Sequence, residues 1–439
     1  MDPREAAVLS LNSAFKNGRF VNLELNSAIK KYGFEDKDKS FYTRLLYGTV
    51  EKKIKLDYIL SKLSKIELSK IEPLVLCILE IALYQIFEMD RVPDSAACNT
   101  ATEAVKHLCP GSYAGFVNAV LRSAVRAKST LCAEIDALTG LVGTSIRHSL
   151  PLWICESFEK DYGNAESIAA GFENMAPHLT LHINTLKITA KEYFDSLDKA
   201  LHPRLLSDEL ITVSSVPVET LPGFDEGLFF VQDESSALCA SLIGKDAILK
   251  QKQEPLVIDT CACPGGKTFA MAVALENRGN IRSFDLHANR LSLIESGCAR
   301  LGITSVTTEA RDGRKPDEEL FGKADAVLCD VPCSGLGILA KKPDIRFKKE
   351  EDILRLSTVG YDILSQSANY VKPGGILVYS TCTLRKAENE NNIRAFLEAH
   401  PDFSPAQLGF ENEKNGCKTF FPQDGTDGFF VCKLKKAKE

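Results

Sequence analysis

The 439-residue chain has no GxGxxG and no GxxxxGK[ST], which removes the dinucleotide-binding turn and the phosphate loop. An NAD-dependent dehydrogenase is disfavoured accordingly. Long apolar runs are missing as well. The most hydrophobic stretch, EPLVLCILEIALYQIFEMD, is interrupted by Glu80 and Gln85; it is too short and too polar to cross a bilayer and predicts a buried core helix. The first residues, MDPREAAVLSLN, carry charge at once and lack a secretory apolar run, so neither a signal peptide nor membrane association is expected. Positive charge is not in excess: a formal net charge of −6 excludes a chain that is basic throughout, as many nucleic-acid binders are. Low-complexity tracts are absent, and 44% hydrophobic residues suffice for substantial cores, which excludes disorder. Cysteine, by contrast, is plentiful. Fourteen of them without a secretory segment predict reduced thiols in a cytoplasm rather than disulfides. Cys261 and Cys263 form a CxC pair, but no second pair or nearby histidine completes a zinc site, so no metal is expected.

The length favours two or three domains, and three regimes follow one another. Residues 1–128 show helical period and almost no strand pattern. Leu56, Ile59, Leu60 and Leu63 recur at helical spacing, as do Val117, Val120, Leu121 and Ala124. This predicts an all-α bundle. Residues 1–70 hold 14 Lys/Arg against 9 Asp/Glu, a balance of +5 that leaves −11 for the remainder, so a local basic surface can meet RNA phosphates. Residues 145–245 mix strand-like runs (HLTLHINTLK, GLFFVQDESS) with a helical one (ITAKEYFDSLDKAL) and predict a small α+β module. In residues 246–439 short apolar strands alternate with helices, the signature of a doubly wound α/β domain with a parallel sheet. Ligands of such sheets bind beyond the carboxyl ends of the strands, where strand order reverses.

The strand ends therefore carry the information. The first expected strand runs into DTCACPGGKT, where Gly265 and Gly266 let backbone approach a ligand closely. The second ends at Asp285 in SFDLH, suited to accept from both hydroxyls of a ribose. Asp312 in ARDGR follows the third and could accept from an adenine amino group. Each alone is compatible with an ordinary loop; together they outline a pocket for an adenosine-bearing ligand. Without a pyrophosphate fingerprint, S-adenosylmethionine fits better than a dinucleotide. The fourth strand ends in CDVPCSGLG, with Asp330 closing it and Cys333 in the loop; the fifth ends in YSTCTL, with Cys382. Fourth and fifth strands are expected to be neighbours, so both thiols should project from one edge. Buried structural cysteines are common, a description that suits Cys77, Cys298 and Cys329 but not two cysteines in polar loops. A thiolate adding at carbon 6 of a pyrimidine makes carbon 5 nucleophilic enough to take a methyl group, and a second nearby group can help release. Asp330 could orient the ring nitrogen and amino edge of a cytosine. Spacing does not say which cysteine attacks.

DTCACPGGKT, SFDLHANR, ARDGR, CDVPCSGLGILAKKPDIRF and YSTCTLRKAENENN together resemble the RNA cytosine-5 methyltransferases that carry a cysteine in each of two motifs. LLYGTVEKKIKLDYIL and FVNAVLRSAVR resemble the NusB-type RNA-binding domain, a pairing characteristic of enzymes acting on bacterial small-subunit ribosomal RNA. The resemblance implies a NusB-like bundle, a small α+β module and a Rossmann-like methyltransferase domain. It further implies Cys382 as nucleophile and Cys333 as the thiol assisting release. Donor-binding residues would be Cys261, Ala262, Cys263, Pro264, Gly265, Gly266 and Lys267, with Asp285, Asp312 and Asp330. There are departures: CACPGGK has cysteine where alanine is usual, valine precedes Pro332 in place of alanine, and His182–Asn184 reads HIN where Arg-Val-Asn is usual, a departure at one implied RNA contact of the middle module. AKKPDIRFKK, with five basic residues against Asp344, is expected to face RNA. A target base must leave its stack, and RNA is expected to be chosen by folded shape. A monomer acting on naked RNA or an assembly intermediate is the expected state. The alternatives are a non-catalytic NusB-like antitermination factor and a transfer-RNA or DNA cytosine methyltransferase.

Overall fold

The computed structural model describes residues 1–17, 21–109, 111–175 and 178–438. The chain divides into two compact units, residues 1–173 with 339–348, and residues 174–338 with 349–439. The first is helical. At its centre Pro73–Glu88 is buried on nearly every side, from Val75 and Cys77 through Ile86. Proline occupies its first turn and Glu72 caps it by accepting from the Val75 N–H at 2.8 Å. The expected core helix is thus present, and Glu80 inside it is paired with Lys53 at 2.6 Å. Leu56, Ile59, Leu60, Val117, Val120, Leu121 and Ala124 all lie in the core around it, as the helical spacing predicts.

The helical unit extends well beyond residue 128. Ala114–Asp136 is followed by Gly140–Arg147, Leu152–Tyr162 and Ala165–Asn174 before the first strand, so the opening third of the expected α+β module is helix. The unit also takes in residues 339–348. There Pro343–Phe347 forms a short 3₁₀ turn, Phe347 packs edge-on against Phe15 with centroids 5.3 Å apart, and Arg346 is 4% exposed with its Nη1 donating to the Leu339 carbonyl. The expectation that AKKPDIRFKK faces RNA is corrected at Arg346, whose guanidinium turns inward to the Leu339 carbonyl while Phe347 beside it stays 41% exposed.

The second unit contains two sheets. A four-stranded antiparallel sheet has the order β2-β3-β1-β4, with β1 His178–Ile183, β2 Arg204–Leu205, β3 Leu210–Ser214 and β4 Phe229–Val231. His182 lies 3% exposed inside this module, stacked on Phe230 at 4.7 Å and bonded through Nδ1 to the Gln232 side-chain oxygen at 2.7 Å. An imidazole held in the core cannot also meet RNA, in keeping with the departure from Arg-Val-Asn at HIN. Asn184 fastens the module instead, donating to the carbonyls of Gly227 (2.9 Å) and Leu301 (2.8 Å).

The larger sheet runs β10-β12-β9-β8-β5-β6-β7, with β11 also on β12. Its strands are β5 Leu256–Asp259, β6 Asn280–Asp285, β7 Val306–Ala310, β8 Ala324–Asp330, β9 Val371–Thr381, β10 Phe403–Pro405, β11 Cys417–Phe420 and β12 Phe429–Lys436. β5 to β9 are mutually parallel; β12 adds antiparallel to β9. Helices Gly266–Ala274, Ala288–Leu301, Leu356–Ala368 and Glu390–Ala399 intervene. Strand order reverses between β5 and β8, the expected location of a ligand. β8 and β9 are neighbours, and their register sets Asp330 opposite Ser380. Both chains therefore leave the sheet at the same level, one towards Cys333 and the other towards Cys382.

Candidate active site

Cys333 Sγ and Cys382 Sγ lie 3.3 Å apart. Both are partly exposed, unlike Cys77, Cys298 and Cys329, which are buried. The bond to Cys382, then burial, push the Cys333 thiol well above its ordinary range. A sulfur shared between two thiols this close disfavours a second negative charge, so one of the pair keeps its proton. Asp330, at the end of β8, accepts from Ser380 Oγ at 2.7 Å and from Lys267 Nζ at 2.7 Å. Burial works against the Lys267 charge, but the Asp330 carboxylate outweighs it and holds the ammonium protonated; Cys382 is among the groups that add to this.

The donor loop joins β5 to the helix Gly266–Ala274. Its Cys263–Pro264 peptide is cis, and Gly265 has φ +115°, which only glycine adopts readily. Asp285, 6% exposed at the end of β6, accepts from the Cys263 N–H (3.3 Å) and the His287 N–H (3.0 Å). Ala262 is buried. Burial, with Asp285 nearby, pushes the Cys263 thiol up to about 12 and raises that of Cys261 as well, so neither is a ready nucleophile. Asp259 at the end of β5 is buried; its carboxyl is pushed up to about 7 despite the 2.7 Å bond from Thr268 Oγ1. Asp312 stands apart. Arg314 takes both of its oxygens, at 2.9 and 2.8 Å, and holds its carboxyl below the usual range.

The structure brings Cys333, Cys382, Asp330 and Lys267 together at the ends of β8, β9 and the donor loop. Asp285 with the Cys261–Gly266 loop forms a second group at β5 and β6. Residue reading missed Gln232 and Ser236, which the topology carries in from the α+β module. Ser236 Oγ accepts from Lys267 Nζ at 3.2 Å. Gln232 Nε2 is buried without a partner, 3.7 Å from where a Cβ on Gly266 would lie. A turn with bare glycines, a buried carboxylate at the next strand end and an orphaned amide beside them fit an adenosine-bearing methyl donor. Among the described residues no group of three or more His, Cys, Asp or Glu is placed to hold a metal ion, and no helix is long and apolar enough to cross a membrane.

A family model described as 16S rRNA methyltransferase RsmB/F matches residues 246–435, and the NusB family model matches residues 1–126. A probable ribosomal RNA small subunit methyltransferase B of Bacillus subtilis is 34% identical over 450 residues, covering 99% of this chain and 98% of that protein. The chain belongs to the ribosomal RNA small subunit methyltransferase B family. A second member, from Synechocystis, is 34% identical over 460 residues, covering 99% of each chain. Membership makes this an S-adenosylmethionine-dependent methyltransferase. The fold agrees: the crystal structure of PH0851 superposes with TM-score 0.80 at 24% identity over 99% of each chain. NSun6 from Pyrococcus horikoshii, solved with SFG, superposes with TM-score 0.58 at 23% identity, covering 66% of this chain and 99% of that one. In family terms, residues 1–126 are NusB-like and the sheet of β5 to β12 is the methyltransferase domain.

Proposed function

We propose that this chain methylates carbon 5 of a cytosine in small-subunit (16S) ribosomal RNA, with Cys382 as nucleophile and Cys333 assisting product release. When bound, S-adenosylmethionine supplies an electrophilic methyl group. The loop Cys261–Lys267 and Asp285 would hold it, with Asp312 once Arg314 gives way. The Cys382 thiolate adds to carbon 6 of the flipped base, forming a C–S bond and leaving carbon 5 electron-rich. Asp330 holds a proton or a hydrogen bond on the polar edge of the ring. After methylation carbon 5 gives its proton to water, the C–H electron pair closes the carbon 5–carbon 6 double bond, and the C–S bond breaks with its electron pair on sulfur. Cys333, its thiol raised and 3.3 Å away, is placed to give a proton to the departing thiolate. The carrying observation is the meeting of the two thiols, 3.3 Å apart where the neighbouring strands β8 and β9 end; the division of roles between them is the one the family resemblance implies.

The relatives' names support small-subunit RNA as the substrate, and the NusB-like region supports RNA binding. A monomer located in the cytoplasm completes the reading. The test is adduct trapping on unmodified small-subunit RNA. Cys333→Ala accumulates a denaturant-resistant protein–RNA band, and Cys382→Ala forms none. The reverse pattern moves the nucleophile to Cys333. No adduct and no methyl transfer by the unsubstituted protein on this RNA, with transfer on transfer RNA, overturns the substrate.

A further inference from the structure

Two thiols in separate loops stay 3.3 Å apart only if something fixes both loops. The turn after Cys382 supplies a pair of adjacent residues that do so. Glu388 is 1% exposed and Asn389 fully buried. The Glu388 carboxylate reaches across to the other loop, where its Oε2 accepts from the Ser334 N–H at 2.8 Å, one residue past Cys333. Its Oε1 is 3.3 Å from Arg385 Nη1, and its backbone carbonyl accepts from the buried Tyr379 hydroxyl at 2.6 Å. Asn389 grips the nearer loop on both sides of Cys382. Its Oδ1 accepts from Thr381 Oγ1 at 2.6 Å, and its Nδ2 donates to the Thr383 carbonyl at 2.9 Å. A hydroxyl–hydroxyl bond between Ser334 and Thr383, 2.7 Å, joins the two grips.

We propose that Glu388 and Asn389 are a two-sided clamp of positioning residues, Glu388 setting the Cys333 loop and Asn389 the Cys382 loop, so that one turn fixes the separation of the two reacting thiols. This rests on the proposed division of labour between the cysteines. A buried carboxylate is expensive to keep in a core, and burial raises this one. A neutral residue would serve packing alone; what the carboxylate adds is an acceptor for a backbone N–H that has no strand partner. Asn389 needs both halves of its amide, an acceptor on one side of Cys382 and a donor on the other.

The clamp predicts a split that a general loss of stability does not produce. Glu388→Ala loosens Cys333, so covalent adduct forms and then accumulates, as in Cys333→Ala, with release slowed about a hundredfold for a displacement near 1 Å. Glu388→Gln keeps an acceptor for Ser334 and recovers most of that release. Asn389→Ala loosens Cys382, so adduct forms about a hundredfold more slowly and none accumulates. The experiment is a single-turnover time course on unmodified small-subunit RNA with radiolabelled S-adenosylmethionine, counting adduct and product for these variants beside Cys333→Ala and Cys382→Ala. Thermal melts check that each is folded. Should Glu388→Ala not fold, Glu388→Asp keeps the charge but falls one methylene short of Ser334, and it should accumulate adduct too. Equal slowing of formation and release in the Glu388 and Asn389 variants overturns the clamp, as does a Glu388→Gln no better than alanine. If the two cysteine controls exchange their patterns, the assignment of the nucleophile fails. The clamp still stands if Glu388→Ala follows Cys333→Ala and Asn389→Ala follows Cys382→Ala.

Discussion

A methyl group added at Gly337 would strike backbone. Gly337 lies four residues past Cys333, where its N–H donates to the Cys382 carbonyl at 2.9 Å and its own carbonyl accepts from the Gly428 N–H at 2.8 Å. It is not among the residues with positive φ, so its backbone shape suits any residue and the constraint is space alone. A Cβ there would sit 1.7 Å from the Gly428 oxygen and 2.9 Å from the Cys382 oxygen. Ordinary contact begins at about 3.4 Å, so the segments must part by about 1.7 Å. Neither obstacle is a side chain that can rotate away. Parting them breaks one or both hydrogen bonds, about 1–3 kcal/mol for each buried group left unpaired, and moves the Cys333 loop off its neighbour. A shift of about 1 Å near reacting groups costs about a hundredfold in rate, so Gly337→Ala should lose at least that in single-turnover methylation of small-subunit RNA. Gly115→Ala, where a Cβ meets nothing within 4 Å, serves as the control and should match the unsubstituted protein. A Gly337→Ala protein that methylates within a few-fold of the control would refute the close crossing as a determinant of the site.

Three other perturbations test different parts of the molecule. Asp259 has a folded pKa of about 7, above its unfolded value near 3.9. The native state therefore binds the extra proton, and stability falls as pH rises between those values, by at most about 1.4 kcal/mol per unit. Asp259→Asn should flatten the melting temperature between pH 5 and 8; an unchanged slope argues against a protonated Asp259. Burial alone would depress the His148 pKa, but bonds to Glu173 (2.6 Å) and Glu166 (2.9 Å) carry it above its ordinary value. Its contribution is complete below about pH 6.5 and fades as pH climbs through the raised value. The two glutamates, held down to about 2, contribute above about pH 4.5 and lose that contribution in acid. The melting deficit of His148→Gln should then be largest near pH 6 and shrink by pH 9. Arg300 Nη1 donates to the carbonyls of Phe224 (2.6 Å) and Phe229 (3.0 Å), and its guanidinium lies over the Phe224 ring at 4.3 Å. Arg300→Ala should cost about 1–3 kcal/mol and open residues 216–228 to protease; unchanged cleavage would show that Asn184 and Lys187 hold this segment without it.

The sequence by itself determined which chemistry is present. Glycines at 265 and 266, acids at 285 and 330, and cysteines at 333 and 382 all fall where an apolar strand gives way to polar residues, and strand ends are where parallel sheets bind ligands. Helical period marked the bundle, because burying one face forces that spacing on the residues. What the sequence left open is what depends on distant segments meeting. The 3.3 Å between the thiols follows from Asp330 standing opposite Ser380, and register is a property of two strands together. Ser236 beside Lys267, and Gln232 beside Gly266, come from the α+β module across a fold that no local pattern announces. Arg346 looked like an RNA contact by charge, yet it is buried with its Nη1 on the Leu339 carbonyl, beside a Phe347 that packs on Phe15, hundreds of residues earlier in the chain. Charge and period are local quantities read along the chain. Burial and register are collective, set by what each residue touches once the chain has closed on itself.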